Sequence, residues 1–112
     1  MFIAVFVRRL RDGKTYEDFL DAWYPDKGFG VGMRGPITGR SLADERDILT
    51  IGFVDIESRE ELGEALERVA AQEAVRHDSI GEVIESTSLR AIYEQLDEFD
   101  FSTDATVAAG RN

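Results

Sequence analysis

At 112 residues the chain has the size of one domain, long enough to bury a core without disulfides or metal. It contains no cysteine, which excludes a disulfide framework, thiolate chemistry and Cys-ligated zinc or iron–sulfur sites. Its 23 acids against 13 Lys and Arg give a net charge of −10, which repels a phosphate backbone and argues against nucleic-acid binding.

Phe2 to Val7 reads as a first strand, apolar in both of its alternating sets. It is the longest unbroken apolar run and falls far short of the roughly 20 residues a membrane span needs. Arg8 and Arg9 follow that run, the reverse of a signal peptide's charge order. A soluble, unprocessed, cytoplasmic protein with no membrane partner is expected. The basic spots, Arg8-Arg9-Leu10-Arg11 and the Arg34/Arg40 pair, sit among acids and read as solvated surface.

Asp12-Gly13 marks a turn into a first helix. Thr15 suits its N-cap with Asp18 three residues on, and Tyr16, Phe19, Leu20 and Trp23 form one buried stripe before Pro25 stops it. The stripe either packs on a sheet or lines a ligand pocket. Gly28, Gly30, Gly32, Gly35 and Gly39 then place half of the ten glycines in one segment around Phe29 and Arg34, a flap or a connector. Its Gly28-Phe-Gly-Val-Gly32 precedes no helix, so the context of a nucleotide-binding loop is missing.

Thr38 to Leu42 is expected as a second strand and Ala43–Asp47 as a hairpin turn. The turn leads into Ile48-Leu-Thr-Ile-Gly-Phe-Val-Asp-Ile56. This third strand carries Leu49, Ile51 and Phe53 on one face and Ile48, Val54 and Ile56 on the other, so both faces must be covered. Ser58 with Glu61 caps a second helix with the stripe Leu62, Ala65, Leu66 and Val69, on whose extension Glu73 and His77 fall. Ser79-Ile-Gly-Glu82 resembles a further capping box, which predicts a helix break near His77. A last strand runs from Ser86 to about Leu96. Asp97–Phe101 is free to drape two aromatics over a neighbour, and 102–112 reads as a frayed tail beyond a 1–101 domain.

The order β-α-β-β-α-β predicts a ferredoxin-like α+β fold, a four-stranded antiparallel sheet with both helices on one face. The helix-free face would expose a broad apolar surface, and two copies closing it as a homodimer, with higher assemblies open, is the simplest solution. In element order and double-faced strands the chain resembles the dimeric α+β barrel superfamily, which holds antibiotic-biosynthesis-monooxygenase-like, EthD-like and stress-responsive barrel proteins. The resemblance covers about residues 1–100 and implies a small-molecule pocket between helices and sheet or inside the barrel. Its implied activities range from cofactor-free oxidation of quinol-like aromatics through haem cleavage and isomerisation to binding without reaction. The Asn-Trp-His set of the haem-cleaving members does not carry over, because Asn112 is the one asparagine and lies at the end of the chain.

For a site, the sequence offers Glu73, His77 and Tyr93 as acid–base residues, with Trp23, Phe29 and Arg34 as lining for a small aromatic ligand. A histidine beside a carboxylate suits proton abstraction from a phenol or enolisable ketone. The alternative is an i,i+4 ion pair at a helix end, about 0.3–0.5 kcal/mol, in a non-catalytic binding or assembly module. One His without Cys argues against zinc, and no cofactor or metal is expected.

Overall fold

The computed structural model describes residues 1–24 and 33–102. The chain runs β1 (Phe2–Leu10), α1 (Tyr16–Trp23), β2 (Met33–Arg40), β3 (Asp47–Val54), α2 (Arg59–Val83) and β4 (Ile84–Glu94). This is a ferredoxin-like α+β fold, whose sheet has the order β2-β3-β1-β4 with every neighbouring pair antiparallel. β1 and β3, the strands apolar on both faces, are central.

The helices start where their caps put them. Thr15 accepts from the Asp18 N–H while the Asp18 carboxylate accepts from the Thr15 N–H, and the Ser58 hydroxyl accepts from the Glu61 N–H. Both helices cover the sheet face that carries Phe2 and Leu10 of β1 and Ile48, Thr50 and Val54 of β3. Apolar burial there forms two separate clusters. Leu10, Phe19, Ile48, Ile80, Val83 and Ile84 make one, and Phe2, Val54, Ile56 and Ala65 make the other.

Several expected boundaries move. β1 continues past Val7 to Leu10, and β2 starts at Met33, inside the glycine-rich segment. β2 is an edge strand, where Gly and Pro cost no ladder on the open side; Gly35, with φ +86°, sits at its register shift. β4 begins at Ile84 and ends at Glu94.

The helix break near His77 does not occur: α2 is continuous through Val83, and Ile84 closes it by donating to the Ile80 carbonyl. Burial of Ile80 and Val83 holds the last turns onto the core and outweighs the roughly 1 kcal/mol that Gly81 costs a helix. The inward stripe also runs differently from its extrapolation. At about 100° per residue from Val69, Arg76 and Ile80 both fall within about 20° of it, whereas His77 is about 80° away. Arg76 therefore turns inward, and His77 is exposed.

The opposite face has no cover among the described residues. Ile37, Ile51, Val5 and Ala91 are in register across all four strands, flanked by Phe53, Ile3 and Tyr93 on one side and Leu49, Val7 and Leu89 on the other.

Candidate functional site

The middle of the helix-covered face, between the two apolar clusters, is built differently from its ends. Successive rows across the sheet there read Gly52, Ala4, Ile92 and then Thr50, Phe6, Arg90, with Arg8 next along β1. Gly52 and Ala4 keep the sheet surface low, and the side chain reaching across it is an arginine. Arg8 donates from Nη1 to the Thr50 hydroxyl at 3.3 Å, and its guanidinium carbon lies 4.3 Å from the Phe6 ring centre and 5.9 Å from that of Phe19. Thr50 and Phe19 are buried, so Arg8 is held from below by an almost dry wall. Among the described residues it makes no ion pair. Its pKa is lowered to about 10, first by burial and then by the like charges of Arg76 and Arg90, with Glu73 acting in the opposite sense.

From α2, Arg76 reaches the end of α1. Its Nε and Nη2 donate to the Trp23 carbonyl at 2.8 and 2.6 Å, and its Nη1 donates to Glu73 Oε1. The carbonyl is one that a helix end leaves without an intrahelical donor, so the bridge satisfies the end of α1 and locks it to α2. Trp23 itself stacks on Phe19 with ring centres 5.6 Å apart. Tyr16, at the start of the same helix, hydrogen-bonds the Thr38 hydroxyl on β2, and Arg40 lies 5.9 Å from its ring.

The structure does not bring the sequence-derived site residues together. Glu73 engages Arg76, and His77 points to solvent with no hydrogen bond or ion pair among the described residues. Tyr93 pairs with Ile3 in register and belongs to the opposite face of the sheet. Trp23 is half-buried packing on the core. Arg34 is placed by its backbone opposite Phe53 on β2, and Phe29 lies outside the described residues. A shallow hollow of about 340 Å³ between α1 and α2 is lined by Asp21, Tyr24, Gln72, Val75 and Arg76 among others, and His77 does not border it.

Sequence reasoning missed Arg8 and Arg76. The available signal was the alternation Phe2, Ala4, Phe6, Arg8, Leu10, which puts an arginine between two core positions once the strand is allowed to reach Leu10. A further charged group, Arg9 with Asp44, Asp47 and Glu85, closes the other end of the sheet through contacts of 2.9–3.4 Å and is a structural network. Among the described residues no three His, Cys, Asp or Glu side chains are grouped to hold a metal, and no helix is long and apolar enough to cross a membrane.

The fold defines the class as a ferredoxin-like α+β protein. No protein-family model matches the chain, and no curated protein matches it. Among solved structures it is similar to an uncharacterized NIPSNAP domain protein from Burkholderia xenovorans, at 19% identity over 86% of this chain and 95% of that one, with a TM-score of 0.59. At that identity the likeness carries the fold.

Proposed function

We propose that this chain acts as a homodimeric α+β barrel that binds a flat, largely apolar small molecule between its helices and sheet, without acid–base catalysis by His77. The observation that carries the dimer is the uncovered row Ile37, Ile51, Val5, Ala91 with its apolar flanks. Ile37 is 58% exposed and Leu49 36%. An apolar surface of this breadth on a monomer marks an interface.

A second copy is the occupant favoured by three features. Both helices lie on the other face. The residues outside the described set, 25–32 and 103–112, contain Phe29 as their one aromatic and are mostly Gly, Ala and polar residues, too little to cover four strands. The rows from Ile3 to Val7 carry no acid, and the row further along pairs Arg9 with Asp47, so a chain of net charge −10 offers its own copy a largely neutral meeting surface. Phe99 and Phe101, stacked with ring centres 5.9 Å apart just past β4, add exposed aromatic surface to the chain.

A binding role is favoured over acid–base chemistry because Glu73 is committed to Arg76 and His77 does not border the hollow between α1 and α2. The fold shared with a NIPSNAP domain protein supports the barrel and names no reaction. Multi-angle light scattering at micromolar concentration tests the dimer. A mass of about twice the 12.6 kDa chain is expected, and a folded monomer would overturn the proposal.

A further inference from the structure

Each of the other arginines with a described polar contact has found an oxygen suited to it. Arg9 meets Asp44, Asp47 and Glu85, Arg46 meets Glu85 and the Leu10 carbonyl, and Arg59 meets Glu94. Arg76 meets Glu73 and the Trp23 carbonyl, and Arg11 meets the Gly81 carbonyl. Arg8, more deeply placed than most of these, has one long bond to a neutral hydroxyl. In a chain with 23 acids a carboxylate partner was easily supplied, and none is there among the described residues. A half-buried guanidinium carries five N–H donors in a planar fork, and leaving most of them unmatched costs stability.

We infer that the helix-covered middle of the sheet, with Arg8 as charge partner, takes a small flat monocarboxylate whose apolar body lies along Phe6, Ala4 and Ile92. This rests on the reading above that the ligand lies between helices and sheet, and it adds the ligand's charge. A carboxylate matches the guanidinium fork with two parallel hydrogen bonds. The charge count selects one negative charge. Of the three arginines whose fields meet at this place, Arg76 is neutralised by Glu73 and Arg90 is exposed to water, which leaves the charge of Arg8. Ile92, 43% exposed on the helix-covered side, and the half-buried Phe6 and Ala4 present apolar surface beside it. The lowered pKa of Arg8 is far above neutrality, so the site is cationic at working pH.

The test is calorimetric titration of the full chain with 2-naphthoate and with its neutral isostere 2-naphthamide, at low and high salt. The acid is expected to bind at least about tenfold tighter than the amide and to weaken as salt rises. Arg8→Gln should remove the preference while leaving the weaker affinity for the amide. Equal affinities for acid and amide in the natural sequence, or no binding of the acid, would overturn the inference without any mutation, so a poorly folding variant cannot shelter it. Arg8→Met supplies a second arm: it should lose the acid and raise the melting temperature, because an unmatched charge is replaced by an apolar chain of similar length. A lowered melting temperature together with unchanged naphthoate binding would mark Arg8 as packing alone and overturn the inference. Light scattering on the same sample reports the dimer separately, so a monomer that still prefers acid to amide would remove the dimer and keep the site.

Discussion

Arg76 and Trp23, 53 residues apart in the chain, are joined by two N–H bonds from one guanidinium to one backbone carbonyl, at 2.8 and 2.6 Å. α1 has eight residues and cannot hold itself together in water. Its start is fastened by the Thr15 capping box and its end by this bridge, with Phe19 buried in between.

Loss of the bridge leaves a carbonyl and the Glu73 carboxylate without their donor. Arg76→Ala is therefore expected to destabilise the fold by about 1.5–3 kcal/mol, the usual range for charged hydrogen bonds. His77→Ala, one position on and exposed, should stay within about 0.5 kcal/mol of the parent and leave ligand binding unchanged. Urea unfolding of the two variants checks both, and a larger loss from His77 than from Arg76 would contradict the placement of the inward stripe.

Ile51 and Ile48 lie on one strand with opposite assignments. Ile48 is 1% exposed beneath the helices, so Ile48→Ala should cost about 2–5 kcal/mol of folding stability. Ile51 lies in the centre of the uncovered face, and Ile51→Asp should weaken the proposed dimer by about 3 kcal/mol or more, over a hundredfold in dissociation constant, by burying an unpaired carboxylate. Analytical ultracentrifugation reads the second effect. Undiminished assembly of Ile51→Asp would place the interface elsewhere.

Acid should reveal the caps and the charge network. The Asp44 carboxyl is held below its ordinary 3.8, first by the backbone N–H of Arg46 and then by Arg9, and Asp18 is held below 3.8 first by the backbone N–H of Thr15. A carboxyl whose folded pKa is depressed contributes stability above its unfolded pKa and loses it as pH falls through the folded value. The melting temperature should hold from pH 7 to about 5 and fall below about pH 4, less steeply in an Asp18→Asn, Asp44→Asn double variant. Identical acid limbs in parent and double variant would assign the loss to other carboxyls.

Much of the architecture was legible before any coordinates. Two double-faced strands, two capped amphipathic helices and their order suffice for the ferredoxin-like fold with β1 and β3 central, because alternation, capping and crossover handedness are local or topological rules. The failures of the sequence reading were of reach. The Ser79–Glu82 box is a valid start signal by itself, and only the packing of Ile80 and Val83 against Leu10, Phe19 and Ile48 decided that the helix would run through it. A drift of about 80° along α2 exchanged His77 for Arg76. The candidate site escaped for the same reason: β1 reaches Leu10 because Arg9 and Leu10 find partners on β3 and β4, contacts made by residues 38 to 77 positions away. The sequence alone determined which segments are strands and helices and that one sheet face would carry no helix. Where Arg8 lies, and that no carboxylate meets it among the described residues, is set by long-range pairing and could be read only from the folded protein.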